Sequence, residues 1–292
     1  MRLLFVVKPR AGRGSSLKIW QRVGTLVART PQCEAVIPTC SAETRRITAE
    51  AVKAGVNRVI VVGGDGTLAA VAGELAFSDT ALGVIPAGTA NDFCRNARIP
   101  HIPQDALEIA LHAEVQRIDL GQASGGPYFL NVAGIGFDAE VAAISARLPA
   151  GLGGTLPYLL GAMSTLFRYR TVEMEVTVDD RMFSGPSMLI AIANGRFYGG
   201  GMQIAPLARP DDGQLDVCIA GSLGRAELAM LLRQVYSGTH VYHPKILTAK
   251  GRHVRVQAKG RVRAHVDGEP LDWDPLDFQV RAKALAVAIP PL

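Results

Sequence analysis

The sequence has few of the residues that build disulfide scaffolds, zinc sites or hydrolase triads. Its 292 residues include only four cysteines, Cys33, Cys40, Cys94 and Cys218, and none of them forms a C-x-x-C pair. This scatter argues against a disulfide framework and a zinc site, and it favours reduced thiols. No histidine pair has metal-binding spacing, and no serine or cysteine stands in a hydrolase arrangement with a histidine.

Long hydrophobic runs are missing as well. No stretch approaches about 18 uninterrupted apolar residues, so the sequence predicts no membrane span. The apolar run at Leu3–Val7 is too short for the core of a signal peptide, and we therefore expect a cytosolic protein. The net charge of +5 is modest. It favours anionic partners such as nucleotides or lipid headgroups, and it does not select nucleic acid.

The composition is that of an ordinary globular protein, with 48% hydrophobic and 20% charged residues. A chain of this length is sufficient for about two domains. Its character changes near residues 121–127, where long strand–helix alternation gives way to short strands separated by turns. We therefore predict one domain over residues 1–122 and a second over residues 123–283. The sequence alone does not decide whether residues 284–292 return to the first domain.

One stretch organises the first domain. Val59–Val62 is a short β-branched run that predicts a buried parallel strand. Gly63-Gly64-Asp65-Gly66 follows, and from Thr67, a plausible N-cap, the pattern becomes helical. A strand, a glycine loop and a helix amino terminus together form an anion site, because unpaired N–H groups and the helix dipole point at the ligand. A carboxylate such as Asp65 among phosphates requires a metal ion or a ribose hydroxyl between them.

Two more glycine-containing loops follow predicted strands. The first is Lys8–Ser16, which carries three cations, and the second is Pro86–Phe93. Alternating strands and helices imply a parallel sheet with helices on both faces. Since ligands of such sheets bind at the carboxyl ends of the strands, we expect all three loops to converge on one cleft.

The second half of the chain contains short alternating strands, which predict an antiparallel sandwich or barrel. The apolar stretch Leu156–Phe167 is interpreted as a helix packed on this sheet, with a wall for a lipid substrate or a membrane-dipping surface as the alternative. A predicted hairpin around Lys259-Gly260 places its cations on one sheet face. That face is either simply solvated or turned towards an anionic headgroup.

These features favour phosphoryl transfer. Such a reaction needs a phosphate cradle, a divalent metal held by carboxylates, and a base or orienting group for the attacking hydroxyl. The glycine loops supply the cradle, and several aspartates are available for the other two roles. Asp267 lies beside Gly268 in a tight turn, which suits a carboxylate presented at a cleft, although turn formation alone explains the pair equally well. A nucleotide-dependent kinase is favoured over a non-catalytic nucleotide-binding module.

The order of the motifs resembles a known family. Gly63–Thr67, Pro86–Phe93, Ile118–Gly121, Asn131–Asp138, Gly199–Pro206, Asp211–Val217 and Asp267–Glu269 occur in the order found in the diacylglycerol kinase catalytic-domain family. The chain looks like the bacterial soluble lipid kinase branch, which is related to sphingosine kinases. NAD kinases share only the Gly-Gly-Asp-Gly element, whereas the Gly88–Phe93 motif favours the lipid kinases.

The resemblance implies a fold and a set of site residues. The expected fold is an α/β amino-terminal domain with a parallel three-layer sheet of NAD-kinase-like type, followed by an antiparallel β-sandwich. The implied nucleotide-binding residues are Thr39, Gly63, Gly64, Asp65, Gly66, Thr67, Leu68, Ala69, Ala70, Gly88, Thr89 and Asn91. The implied catalytic residues are Asp65, Asp92 and Asp119, which would organise magnesium, Asp267 as general base, and Glu269 in support. The implied structural magnesium ligands are the side chain of Asp212 and the backbone carbonyls of Arg209 and Gln214.

The implied activity is that of an ATP- and Mg²⁺-dependent kinase. It would phosphorylate a hydroxyl of diacylglycerol, phosphatidylglycerol or a related lipid, in the cytoplasm and peripherally at the inner membrane surface. Two departures from the family pattern stand out, Lys8 in place of asparagine and Ala69-Ala70 in place of an Asn-Glu pair. The alternatives are a kinase of a soluble polar acceptor and a non-catalytic nucleotide or lipid sensor. The sequence does not identify the lipid or the oligomeric state.

Overall fold

A computed structural model describes residues 1–9, 11–27, 32–145, 160–161, 164–165, 169–272 and 276–290. The chain forms two compact units. Unit 1 comprises Met1–Asp119 together with Lys283–Leu292, and unit 2 comprises Leu120–Ala282. The residues after 283 therefore belong to the first unit.

Unit 1 alternates strands and helices. Its strands are β1 (Leu3–Val7), β2 (Cys33–Val36), β3 (Arg58–Gly63), β4 (Ala81–Pro86) and the first part of β5 (Val115–Ala123). Its helices are α1 (Ser15–Val27), α2 (Ser41–Lys53), α3 (Asp65–Leu75), α4 (Asp92–Asn96) and α5 (Pro103–His112), with a 3₁₀ turn at Ala11–Gly14.

The sheet of unit 1 is parallel in the order β4-β3-β1-β2. Every residue of β1 and of β4 is buried, which explains their uninterrupted apolar sequences, because helices cover both faces of a parallel sheet. The last strand of the chain reaches this sheet beside β4, with Val287 opposite Leu82 in parallel register. The predicted α/β architecture is confirmed.

One helix start differs from the prediction. Helix α3 begins at Asp65 rather than at Thr67, and its N-cap is Gly64, which has no side chain to cap it. The extended backbone of Gly64 lets the chain enter the helix sooner than a cap at Thr67 would. Helix α2 is capped by Cys40, whose sulfur accepts the N–H of Glu43 at 3.5 Å.

Unit 2 is built mainly of antiparallel strands. They are β6 (Tyr128–Phe129), β7 (Val132–Gly136), β8 (Val172–Val178), β9 (Arg181–Ala193), β10 (Phe197–Tyr198), β11 (Met202–Gln203), β12 (Leu215–Gly221), β13 (Ile246–Gly251), β14 (His253–Ala258), β15 (Ala264–Val266), β16 (Glu269–Leu271) and β17 (Leu276–Ala288). Its helices are α6 (Phe137–Ser145) and α7 (Arg225–Gln234), with a 3₁₀ turn at Thr239–Tyr242.

The long strand β9 is the hub of unit 2. It pairs with β8 along its first half and with both β7 and β12 along its second half. One core cluster fills the space between the strand layers, and there the rings of Phe129 and Phe278 meet edge to face at 6.3 Å. A second cluster lies where residues of α6 and α7 pack on β9 and β12. This is the antiparallel β-sandwich that the sequence predicted.

The predicted hairpin around Lys259-Gly260 is wrong. β14 pairs with β8 and β17, whereas β15 pairs with β7 and β16, so the two strands are not partners. Their polar side chains do not form one cationic face either. Arg255 pairs with Asp277 at 3.0 Å, and Arg263 pairs with Glu140 at 3.0 Å. Alternation predicts which residues are strands, but strand partners depend on contacts distant in sequence.

Helices α5, α6 and α7 were absent from the sequence-based expectation, although local signals for α5 and α7 exist. Helix α5 starts with Pro103, a residue favoured at the first helical position. Helix α7 has a capping arrangement in which Gly224 N–H donates to Glu227 Oε2 at 2.7 Å, and it buries Leu228 and Leu231. The apolar stretch Leu156–Phe167 lies almost entirely outside the described residues, and its interpretation stays a prediction.

Among the described residues, no helix has both the length and the apolar character needed to cross a membrane.

The core of unit 2 can be tested at Phe129, which is fully buried against Phe278. We expect Phe129→Ala to lower the free energy of unfolding by about 3–5 kcal/mol, because it removes a large buried ring and leaves a cavity. Urea denaturation followed by fluorescence or circular dichroism measures this. The matched control is Tyr242→Ala, at an aromatic residue that is 85% exposed, and we expect it to change stability by less than about 0.5 kcal/mol. Equal effects of the two substitutions would contradict the assignment of this core.

Candidate functional site

Two glycine loops of unit 1 meet as bare backbone. Gly64 follows β3 and Gly88 follows β4, and these strands are neighbours in the parallel sheet. A Cβ added to Gly64 would lie 2.8 Å from the Cα of Gly88, and one added to Gly88 would lie 2.5 Å from the Cα of Gly64. Neither position has space for a side chain, so the contact explains both glycines.

The first loop of the chain joins the same cluster. A Cβ on Gly12, which has a positive φ of 52°, would lie 2.1 Å from the carbonyl oxygen of Ala87. Ser15 donates its hydroxyl to the same carbonyl at 3.0 Å. The three loops that the sequence predicted to converge are therefore in contact at the carboxyl ends of β1, β3 and β4.

The amino terminus of α3 lies in this cluster. Because Gly64 contributes no capping side chain, the first turn of the helix has no side-chain cap and presents backbone N–H groups. Such a terminus attracts anions through its N–H groups and its dipole. Asp65 is the first residue of α3, and its Oδ1 accepts the N–H of Phe93 at 3.0 Å, which ties the third loop to the helix.

Asp92 lies close to Asp65. It is buried and pairs with Arg95 at 2.9 Å. Both carboxylates act on the buried Cys94, since burial raises the pKa of its thiol and the charges of Asp65 and Asp92 raise that pKa further. Cys94 therefore stays neutral and is no nucleophile. Asp119 is fully buried at the end of unit 1, where its Oδ1 accepts the N–H of Lys283 at 2.7 Å.

Within the part of the chain that the structure describes, no group of three or more His, Cys, Asp or Glu residues could hold a metal ion. Asp65, Asp92 and Asp119 therefore do not form a preassembled metal cage. Mg²⁺ does not require such a cage, because it is commonly bound by one or two carboxylates and otherwise by phosphates and water.

The other predicted nucleotide-binding residues differ in accessibility. Leu68 and Ala70 are buried, at 0% and 2% exposure, so their side chains belong to the core of unit 1. Asn91 uses its side chain to close its own loop, accepting the N–H of Gly88 at 2.9 Å and donating to the Gly88 carbonyl at 3.0 Å. Thr39 is exposed, and both its N–H and its hydroxyl donate to Glu43 Oε2 at 2.7 Å.

The remaining members of that set lie in the loops themselves. Gly66 and Thr89 are exposed, while Thr67 and Ala69 are partly buried on α3. Gly63 is the buried last residue of β3, and a Cβ there would lie 3.1 Å from the side chain of Thr67. The loops and the first turn of α3, rather than the helix interior, form the accessible surface.

In unit 2, Asp267 is held tightly at the tip of a hairpin. Its Oδ2 accepts the N–H of Leu130 at 2.7 Å, and its Oδ1 accepts the N–H groups of Asn131 and Val132, each at 3.0 Å. Three backbone donors stabilise the charged carboxylate and fix its position. Glu269, two residues later, is exposed and lies opposite Val266 in the hairpin register.

The predicted structural magnesium loop already contains a cation. Asp212 Oδ1 accepts the N–H of Gln214 at 3.1 Å, and its Oδ2 accepts the ammonium of Lys250 at 2.7 Å. The same ammonium lies 3.2 Å from Asp216 Oδ2. Burial raises the pKa of Asp216, and the charge of Lys250 acts in the opposite direction. The side chain of Arg209 pairs with Asp211 rather than with Asp212. Lys250 therefore balances the charge of Asp212 in this structure, and the magnesium assignment stays a prediction.

The sequence-based set missed one buried polar pair beside Asp267. His265 Nε2 lies 3.3 Å from Asp138 Oδ2, and both residues are buried. His265 lies in β15, a strand of the wrongly predicted hairpin. The available signal was the position of Asp138 within a recognised motif, Asn131–Asp138, at the first turn of α6.

Two of the cavities in unit 2 differ in character. One, of about 550 Å³, borders the Asp267 turn and is lined by Glu140, Arg263, His265 and Gly268 among others. The other is apolar, has a volume of about 60 Å³, and lies between α7 and the sheet. The first falls in the size range of ligand sites, and the second has room for roughly two water molecules.

Comparison with known proteins agrees with this geometry. The diacylglycerol kinase catalytic domain matches residues 2–123, and the YegS C-terminal NAD kinase beta sandwich-like domain matches residues 131–289. A crystal structure of a diacylglycerol kinase from Bacillus anthracis str. Sterne superposes with a TM-score of 0.78 at 22% identity, covering 99% of this chain and 97% of that one. At this identity the likeness shows the fold.

The curated relatives are more similar in sequence. A protein of Pseudomonas syringae pv. syringae named "Probable lipid kinase YegS-like" is 34% identical over 251 residues, covering 85% of this chain and 81% of that protein. A Pseudomonas fluorescens protein of the same name is 36% identical, covering 85% of this chain and 82% of that protein. The chain therefore belongs to the diacylglycerol kinase catalytic-domain family, and it is a lipid kinase of the YegS-like type.

Proposed function

We propose that this lipid kinase uses ATP with Mg²⁺ and transfers the γ-phosphate to a hydroxyl of diacylglycerol, phosphatidylglycerol or a related lipid. The observation that carries the nucleotide half of this proposal is the backbone contact of Gly64 with Gly88 at the amino terminus of α3. It creates a surface of N–H groups without side chains, and such a surface suits phosphates.

The cation that accompanies ATP has a plausible protein partner in Asp65. This residue stands at the first turn of α3, where the phosphates would lie, and a carboxylate there is compatible with phosphates only through a cation. Asp92 is a second carboxylate nearby. When bound, Mg²⁺ neutralises charge on the phosphates, and the residues of unit 1 serve to hold and orient the nucleotide.

The acceptor half of the proposal rests on Asp267. Its carboxylate is charged and fixed by three N–H groups, and it would orient the lipid hydroxyl and receive its proton. This fixed placement suits phosphoryl transfer, in which catalysis depends mainly on positioning and electrostatic stabilisation. The cavity of about 550 Å³ beside the turn offers room for a headgroup.

The acyl chains are not explained by a preformed channel. The apolar cavity beneath α7 is only about 60 Å³, which is far too small for a long chain unless α7 moves. The choice of a lipid over a soluble acceptor therefore follows from the relatives, which are named lipid kinases. In this proposal the enzyme works in the cytoplasm and meets its substrate at the membrane surface.

The base assignment is tested with Asp267→Asn, since asparagine tolerates the positive φ of 46° at this position. Radiolabelled γ-phosphate from ATP, with Mg²⁺ and a total bacterial lipid extract, gives the turnover. We expect kcat to fall by about 10²–10⁴-fold with little change in ATP affinity. Turnover near that of the wild-type enzyme would remove Asp267 from this role.

The same assay separates the alternative functions. A labelled product in the organic phase identifies the lipid acceptor. Label in a water-soluble product, unaffected by vesicles or detergent, would favour a kinase of a soluble polar compound. ATP binding without transfer to any acceptor would favour a sensor.

The phosphate cradle is tested with Gly66→Ala. Gly66 is exposed in the first turn of α3, it has an ordinary φ, and a Cβ there would meet nothing within 4 Å. We expect the substitution to stabilise the protein by about 0.5–1 kcal/mol through helix propensity, while weakening ATP binding at least tenfold because the methyl group occupies the anion site. Calorimetric titration and thermal unfolding measure the two effects. ATP affinity within twofold of the wild-type value would contradict the cradle.

A companion variant, Gly88→Ala, separates shape from direct contact. Its Cβ would collide with the Gly64 backbone, so we expect it to lower both stability and ATP affinity, unlike Gly66→Ala.

The counter-ion of Asp212 gives a further prediction. Because Lys250 contacts both Asp212 and Asp216, we expect Lys250→Met to lower the free energy of unfolding by about 1–3 kcal/mol. We expect Mg²⁺ to raise the Tm of this variant in the absence of nucleotide, and to leave the wild-type Tm unchanged. The control is Lys245→Met, which removes a lysine of the same region paired with Glu227 at 2.8 Å. A Mg²⁺-dependent Tm in the wild-type protein that is lost in Asp212→Asn would show a metal site instead.

A further inference from the structure

The turn that presents Asp267 has a backbone conformation that few residues adopt. Val266 pairs with Glu269, so the hairpin loop consists of Asp267 and Gly268 alone. Both have positive φ, 46° and 86°, as two-residue turns of type I′ require. Glycine adopts this conformation freely, and aspartate tolerates it better than most residues with a Cβ. The position of the carboxylate therefore depends on the contacts that fix this turn.

One of those contacts comes from a histidine. Gly268 donates its N–H to His265 Nδ1 at 3.1 Å. A ring nitrogen that accepts a hydrogen bond carries no proton, so the proton of the neutral imidazole is on Nε2. Nε2 in turn lies 3.3 Å from Asp138 Oδ2. The carboxylate accepts a hydrogen bond from Nε2–H. This holds the proton on Nε2 and leaves Nδ1 available to accept the N–H of Gly268, as in other carboxylate–histidine pairs.

Strand register provides the room for this pair. His265 lies opposite Gly134 of β7, and a Cβ on Gly134 would lie 1.9 Å from Asp138 Oδ2 and 2.6 Å from His265 Nε2. The missing side chain at Gly134 is what lets Asp138 reach across to the imidazole. In the described part of the chain, the other oxygen of Asp138, Oδ1, is buried without a hydrogen-bond partner.

We infer that His265 and Asp138 are positioning residues for the acceptor site. Asp138 selects the imidazole tautomer, His265 Nδ1 fixes the amide of Gly268, and the turn so fixed holds the Asp267 carboxylate where the lipid hydroxyl approaches. The backbone donors from Leu130 to Val132 hold the carboxylate itself, and His265 holds the turn from the other side. This inference rests on the proposed role of Asp267.

Two substitutions of His265 separate the two ring nitrogens. In His265→Asn the amide oxygen can take the place of Nδ1 and accept the Gly268 N–H. In His265→Gln the terminal amide reaches the position of Nε2, so it keeps the contact with Asp138 and loses the one with Gly268. Both variants lose the buried ring, and thermal unfolding of each measures that shared structural cost.

We expect His265→Gln to lower kcat for lipid phosphorylation at least tenfold more than His265→Asn, with the KM for ATP unchanged in both. Such a split between kcat and KM follows if the acceptor-side turn is displaced while the nucleotide loops of unit 1 are intact. Equal losses of kcat in the two variants, in parallel with equal losses of Tm, would show a structural role only and overturn the inference. Wild-type kcat in His265→Gln would overturn it as well.

Asp267→Asn, assayed in parallel, distinguishes this failure from that of the proposed function. If Asp267→Asn keeps wild-type turnover, the base assignment is wrong and the inference falls with it. If Asp267→Asn is inactive while His265→Gln turns over normally, the base assignment stands and only the positioning role is refuted.

Discussion

The approach of two backbones, at Gly64 and Gly88, is the constraint on which the nucleotide half of the molecule depends. Neighbouring parallel strands end at the same edge of a sheet, and any side chain at either position would separate the loops that follow them. Their contact brings Asp92 close to Asp65 and leaves the amino terminus of α3 uncovered. The absence of side chains at these glycines therefore contributes to anion binding as much as charged side chains do.

The parts of the fold that depend on residues close together in sequence could be predicted, and the parts that depend on distant residues could not. Val59–Val62 is so apolar and β-branched that a buried parallel strand was its natural structure, and the glycine loop after it is the basis on which an anion site is predicted. The start of α3 was placed two residues late, because Thr67 is a good cap by residue type while Gly64 caps by backbone geometry alone. The partners of β14 and β15 could not be inferred, since alternation fixes faces and not neighbours.

The site residues show the same division. Loop glycines and Asp65 carry local signals, and the structure places them together. The sequence shows His265 only as one polar residue in an alternating strand, because its role depends on contact with Asp138, 127 positions earlier in the chain. Asp212 shows the converse: its loop motif predicts a magnesium ligand, and its contact with Lys250, 38 residues later, is not visible in that motif.

Two strands cross between the units, β5 on the way into unit 2 and β17 on the way out of it. Residues 284–288 therefore complete the sheet of unit 1 only after the roughly 160 residues of Leu120–Ala282 have been made. At about 5–20 residues per second, the ribosome takes roughly 8–30 seconds to make them. During that interval the edge of β4 that Val287 later covers is unpaired by this segment, so the sheet of unit 1 is completed only after unit 2 has been synthesised.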